Sequence, residues 1–340
     1  MTLRSRLRVG TLLVACLLLL PAASIGQGSD EPGWTAPRTL DGQPDLQGVW
    51  ANNNVTPLQR PEEWADKAHL TAEEVADLKA AAGQVTTAGL DAVFGDQLVR
   101  AAIAGVKDAE SYDTTGNYNQ FWLADRTFSD RTSLVIDPPD GRVPALTPEA
   151  QQTADARRAY RRDHPADSWE DRGLGERCVH FGVPKLGAGY NSYSQIVQTP
   201  GYVAIYHEMA HDVRVIPLDG RPHLPPSIQQ WMGSARGHWE GDTLVVESTN
   251  FSPKSSFRGS NTNLQLIERF TRVGPTTLNY EVTVTDPTTW TRPWTALIPL
   301  TGTDDAIYEY ACHEGNYGME GILSGHRAQE TAEAAKGGVQ

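Results

Sequence analysis

Residues 199–226 read TPGYVAIYHEMAHDVRVIPLDGRPHLPP, and whether this run is a helix or a pair of strands decides the fold class. Tyr202, Tyr206, Met209, Val213 and Ile216 form an apolar stripe at helical spacing between Pro200 and Pro217. Against this, Val203, Ile205, Val213, Val215 and Ile216 are β-branched and suit a pleated surface. Asp219 followed by Gly220 is a turn signal of the kind that closes hairpins. The strand reading is preferred, because the neighbouring sequence also reads as strands. In an extended chain His207 and His211 share a parity unless the backbone bends near Met209 and Ala210, while Glu208, Asp212 and Arg214 share the other face.

Downstream, β-rich runs at 243–249, 263–273, 277–285, 294–300 and 306–311 are separated by Gly, Pro, Asn and Asp turns. That spacing predicts a mainly β fold, an antiparallel barrel or sandwich, over residues 178–325. Residues 326–340 read as a frayed helical tail. Upstream, residues 27–177 read as a helical, loop-rich segment packed on the β domain. Thr71 and Glu74 form a capping box opening a helix to about residue 82. A second helix is expected over 90–106, an ordered loop over 112–128, and a helix over 144–162 begun by Thr147 and Pro148. Short strands are expected at 46–50 and 133–137.

Residues 1–26 have the layout of a signal peptide: Arg4, Arg6 and Arg8, then an apolar run, then small residues. Export to the periplasm or medium is therefore expected, with no integral membrane segment after cleavage. Lipid anchoring through Cys16 is less favoured, because most of the apolar run follows that cysteine instead of preceding it. The formal charge of −13 argues against nucleic acid as a partner. Cys178 and Cys312 remain after cleavage, and in an exported chain one disulfide is the simplest reading, two buried thiols the other.

The chemistry concentrates in the opening stretch. His207-Glu208-Met209-Ala210-His211 matches H-E-x-x-H, in which two histidines hold Zn²⁺ and the glutamate polarises its water. Candidate third ligands are His223, Glu240 and His313, none at a diagnostic spacing. Without a metal, Glu208, His211, Asp212 and Arg214 make an acid–base constellation, with His211 as acid/base, Glu208 or Asp212 as its partner and Arg214 stabilising an anion. The alternative for the same groups is a structural ion-pair network. His313 and Glu314, at the end of an expected strand, offer a second pair, with Asn316 beside them on the substrate. Trp290, Arg292 and Trp294 share one strand parity and could stack on a ring while binding an anionic group, or fill a barrel end.

Several of these runs are joined by others in a recognisable set: Pro44 to Trp50, Arg131 to Arg142, Ile216 to Pro222, Gly237 to Val246 and Tyr308 to Asn316. Together they resemble a family of exported, largely uncharacterised bacterial proteins. Its motifs, E-x-x-H-D-x-R-x-I-P-L-D-G and W-E-G-D-T-L-V-V, fall here on Glu208, His211, Asp212, Arg214 and Asp219, and on residues 239–246. The resemblance implies export and a shared β-rich fold. His207 departs from the family pattern, which favours a chance H-E-x-x-H.

The leading functional expectation is an exported enzyme acting on a small organic or glycan-derived substrate by His/carboxylate acid–base chemistry, as a lyase, isomerase or hydrolase. The alternatives are a zinc-dependent hydrolase or peptidase using His207 and His211, and a non-catalytic periplasmic binding protein for a small apolar ligand.

Overall fold

A computed structural model of the chain describes residues 34–87, 95–105, 126–255 and 257–337. Residues 1–26 with Cys16, read as a signal peptide, most of the 112–128 loop, and both ends of the helix expected over 90–106 lie outside these residues. In chain order the elements are β1 (Gly48–Ala51), α1 (Ala72–Thr87), α2 (Asp96–Ile103), β2 (Val135–Asp137), α3 (Pro148–Asp163), β3 (Tyr193–Thr199), β4 (Tyr202–His207), β5 (Asp212–Pro217), β6 (Ser234–Glu240), β7 (Thr243–Thr249), β8 (Gln265–Gly274), β9 (Thr277–Thr285), β10 (Trp294–Thr303) and α4 (Tyr317–Gly337). Among the described residues, no helix is long and apolar enough to cross a membrane.

The strands form one 10-stranded antiparallel sheet in the order β5-β4-β3-β1-β10-β9-β8-β7-β6, with β2 also paired to β10. The sheet curls into a nearly closed barrel, and what closes it is the approach of β6 to β5. Gly237 makes that approach possible: a Cβ there would lie 2.7 Å from Leu218 and 2.8 Å from Ile216. Polar contacts finish the seam. Arg236 Nε donates to the Pro222 carbonyl at 2.9 Å, and His223 Nδ1 lies 2.9 Å from the Ser234 carbonyl. Closure of this kind leaves no long bare edge to pair with another chain.

The period-2 alternation of the strands turns apolar side chains into the barrel. Val203 and Ile205, Leu244 and Val246, Leu266 and Phe270, Leu278 and Val282, and Ala296 and Ile298 all point inward and are buried. Each fully buried Leu or Ile contributes about 1.5–3 kcal/mol. A second, smaller apolar cluster gathers Val55, Ala82, Val85, Leu98, Val99 and Ala102 around α1 and α2.

The helix starts follow their caps. The Glu74 amide donates to Thr71 Oγ1 at 3.2 Å while Glu74 Oε2 accepts from the Thr71 amide at 2.8 Å. Thr147 accepts from the Ala150 amide at the head of α3, with Pro148 next in sequence.

Four expectations need correction. The first concerns residues 27–177, which do more than pack on the barrel: β1 sits in the middle of the sheet, between β3 and β10. Residues 306–311 are not a strand, since no neighbouring edge pairs with them. The C-terminal segment is not a short tail beginning near 326 but the single helix α4, starting at Tyr317. Finally, Asp219 and Gly220 do not close a hairpin: loop follows β5, and β6 begins only at Ser234. The β4–β5 hairpin turns through 208–211, with a 3₁₀ turn at Met209–His211.

Candidate functional site

The opening stretch is a strand pair, and its parity sorts the polar groups. In β4 and β5, His207 lies opposite Asp212 and Ile205 opposite Arg214, and all four side chains are buried. Residues 208–211 then reverse the chain, with Ala210 (φ 63°) and His211 (φ 57°) both left-handed. Neither is glycine, so the turn carries local strain. It also undoes the expected shared parity of the two histidines. His207 faces the lumen, whereas His211 is exposed on the turn, where its Nδ1 accepts from the Tyr310 amide at 3.1 Å.

The lumen holds a cavity of about 730 Å³, a size ordinary for small-molecule sites. Trp50, Ile196, Ile205, Phe270 and Leu300 supply apolar wall, and Ser194, His207, Arg214, Glu268 and Tyr280 a polar one. Arg214 and Glu268 make a two-pronged ion pair, Nη1 to Oε1 at 2.9 Å and Nη2 to Oε2 at 2.5 Å, with 4% and 1% of their side chains exposed. Ser248 Oγ accepts from Arg214 at 3.2 Å, and Tyr280 OH donates to Glu268 at 2.8 Å. Burial works against the Arg214 charge, but Glu268 outweighs it and holds the guanidinium above its usual range. Burial, reinforced by the Glu268 charge, keeps the Tyr280 phenol protonated far above its ordinary value.

His207 is the titratable group of different character. Its Nδ1 lies 2.7 Å from Ser194 Oγ, its cross-strand neighbour on β3. Its Nε2 has no hydrogen-bond partner among the described residues. Burial, then the positive charges of Lys185 and Arg214, push its pKa well below the usual histidine value, so it is neutral at physiological pH. Nearby, Asp212 Oδ2 accepts from Lys185 Nζ and from the Phe181 amide, both at 3.3 Å. Burial lowers the Lys185 pKa, and Asp212 opposes the shift. Glu208 is buried on the turn. Asn191 donates to its Oε1, and burial pushes its carboxyl upward.

A strap after β10 covers one side of this region. Tyr310 packs edge-on against Phe181 and Tyr190, at ring distances of 6.3 and 6.5 Å, and both of those rings line the cavity. The strap is fastened by the Cys178–Cys312 disulfide, whose Cα atoms are 5.6 Å apart, as expected of one bridge. Asn316 Nδ2 donates to the Glu176 carbonyl at 2.9 Å, a structural contact. His313 and Glu314 are exposed and do not line the cavity.

The acid–base set read from the sequence is therefore divided: Arg214 and Asp212 lie inside, Glu208 under the turn, His211 outside. The zinc reading loses its geometry for the same reason. Among the described residues, the one group of three metal-ligand side chains within reach of a common ion includes neither His207 nor His211. Of the suggested third ligands, His223 serves the barrel seam and Glu240 pairs with His238 and Arg269. Trp290 and Trp294 do not form an open platform. They are buried, 2% and 0% exposed, and pack with Phe257, while Arg292 points outward to Asp137 at 3.0 Å.

Ser194, Lys185, Glu268 and Tyr280 were not singled out by sequence reasoning. Glu268 had a signal: it occupies the inward parity of β8 between Leu266 and Phe270, where an acid calls for a buried partner. No family model matches the chain, and no curated protein or solved structure matches it either.

Proposed function

We propose that this chain is an exported protein that binds a small, predominantly apolar organic molecule inside its barrel. One observation carries the reading: a cavity of about 730 Å³ at the barrel lumen, lined by inward residues of β1, β3, β4, β5, β8, β9 and β10 together with residues 184–192, in which apolar and polar groups are mixed. The buried charges of the lumen are already paired, Arg214 with Glu268 and Lys185 with Asp212. Beside these pairs a charged group would enter without a free counter-charge, so a neutral polar end fits best there, while the exposed Arg258 also lines the cavity. The signal-like residues 1–26, the disulfide and the motifs shared with exported bacterial proteins support export.

The test is titration with N-phenyl-1-naphthylamine, a neutral amphipathic fluorophore, following energy transfer from tryptophan. Saturable binding of one probe per chain is expected. Ser194→Trp, which fills the cavity from a half-buried wall position, removes it. Absence of saturable binding, or binding unchanged in Ser194→Trp, overturns the reading.

A second reading, acid–base catalysis on the lumenal molecule, is favoured by the Ser194–His207 contact at 2.7 Å. A neutral imidazole beside a hydroxyl can take a proton from it. His207 then holds the role that the sequence suggested for His211. On any ligand that is turned over, His207→Gln should abolish turnover while His211→Ala retains it. The reverse result returns the role to His211.

A further inference from the structure

The inward side of α4 ends in a cluster that neither the barrel nor its cavity uses. Asn316, Met319, Leu323 and His326 are the partly buried residues of this region and recur at helical spacing, while most of the rest of α4 is exposed. At the end of that stripe His326 Nε2 lies 3.3 Å from Asp167 Oδ1 and 3.4 Å from Glu330 Oε1. The three ligand atoms fall within 4.8 Å of one another.

We propose that Asp167, His326 and Glu330 form a divalent metal site, suited to Zn²⁺, that fastens α4 to the segment following α3. The His326–Asp167 contact, a hydrogen bond at 3.3 Å, and the His326–Glu330 contact at 3.4 Å match the separation of about 3.3–3.4 Å between two ligands of a tetrahedral Zn²⁺ with bonds of about 2.0–2.1 Å. His326 and Glu330 stand one turn apart on the same helix face, so one ion can take both without a backbone change. Asp167 comes from outside the helix and is already oriented: its Oδ2 lies 2.6 Å from His164 Nδ1, which leaves Oδ1 to the metal. One imidazole nitrogen with two carboxylates favours Zn²⁺ over Mg²⁺ or Ca²⁺, which take oxygen ligands. Water completes the fourth position.

Arg327 is the competing cation. Its Nη2 lies 2.9 Å from Glu330 Oε1 and 3.9 Å from Asp167 Oδ1. That side chain is 50% exposed and can swing into solvent when the ion takes its place.

Calorimetric titration of the full chain, stripped with EDTA and dialysed, tests the site directly with ZnCl₂. One Zn²⁺ per chain is expected, with MgCl₂ at the same concentration giving no signal. His326→Ala and the shape-preserving Asp167→Asn should each weaken the affinity at least about tenfold, and His69→Ala, at an exposed histidine elsewhere, should leave it unchanged. Hydrogen exchange of the amides in 317–337 should slow on zinc addition in the wild type and not in His326→Ala. Absence of zinc binding, or affinity undiminished in both Asp167→Asn and His326→Ala, overturns the proposal.

Discussion

Arg214 and Glu268 join through both prongs inside the barrel from β5 and β8, strands that are not neighbours in the sheet. Their pairing is a cross-brace as well as a charge balance. Removing one partner strands the other charge in the lumen, which costs about 3–5 kcal/mol. Glu268→Gln should lower the stability measured by urea unfolding by about that amount. The double change Arg214→Met with Glu268→Leu should recover part of it, because it leaves no buried charge, while the Tyr280 and Ser248 hydroxyls lose these partners.

His207 makes stability depend on pH in a defined direction. Its folded-state pKa is depressed by burial, so the unfolded chain takes up the proton first. The contribution is complete above the unfolded value of about 6.5 and is lost as pH falls below it, by up to about 1.4 kcal/mol per pH unit. Glu208, whose carboxyl is pushed upward by burial, acts in the opposite sense in the carboxylate range. Wild type and His207→Gln should therefore be compared by urea midpoints at pH 7.5 and 5.5. The wild type should lose more stability than the variant over that interval.

The strap bearing Tyr310 should depend on its bridge. Cys178→Ser with Cys312→Ser removes the covalent tie between segments 134 residues apart, at a cost of about 2–5 kcal/mol. Hydrogen exchange at 308–316 should rise in the variant, and a lumenal probe should dissociate faster. Unchanged dissociation would mean that the strap does not limit access.

Gly237 should tolerate no side chain. In Gly237→Val the new atoms collide with Leu218 and Ile216 at the barrel seam. A loss of about 1–3 kcal/mol is expected from overpacking, seen as a lower thermal midpoint. The conservative control Gly241→Asn, on the β6–β7 turn where φ is +57° and space is open, should stay near wild type.

Much of the barrel was legible in the sequence because its strands carry period-2 alternation between turn residues. β7 and β9 match the expected 243–249 and 277–285, and the caps at Thr71 and Thr147 mark their helices. Residues 306–311 have strand-like composition, but a strand needs a free edge, and this segment is instead held by His211 through Tyr310 and, just beyond it, by the Cys178–Cys312 bridge. α4 was obscured by Gly318, Gly321 and Gly325, residues that weaken any helical pattern. Within residues 199–226 the sequence points to His211, where the lumen holds His207. Parity alone could not reveal that residues 208–211 turn through two left-handed positions. Which inward groups meet depends on closure of the barrel, a long-range property that no local window contains.

The place of β1 governs how the chain must be assembled. Its Val49 pairs with Thr303 on one side and Gln195 on the other, so this interior strand of the sheet waits for partners made much later in synthesis. Folding dominated by such distant pairings is slow. A chain interrupted before β10 would hold β1 with one side unpaired, a ready template for association with another copy. The barrel is thus safe from edge-to-edge aggregation only once it is whole, and its most vulnerable interval lies between translation of its first strand and translation of its last.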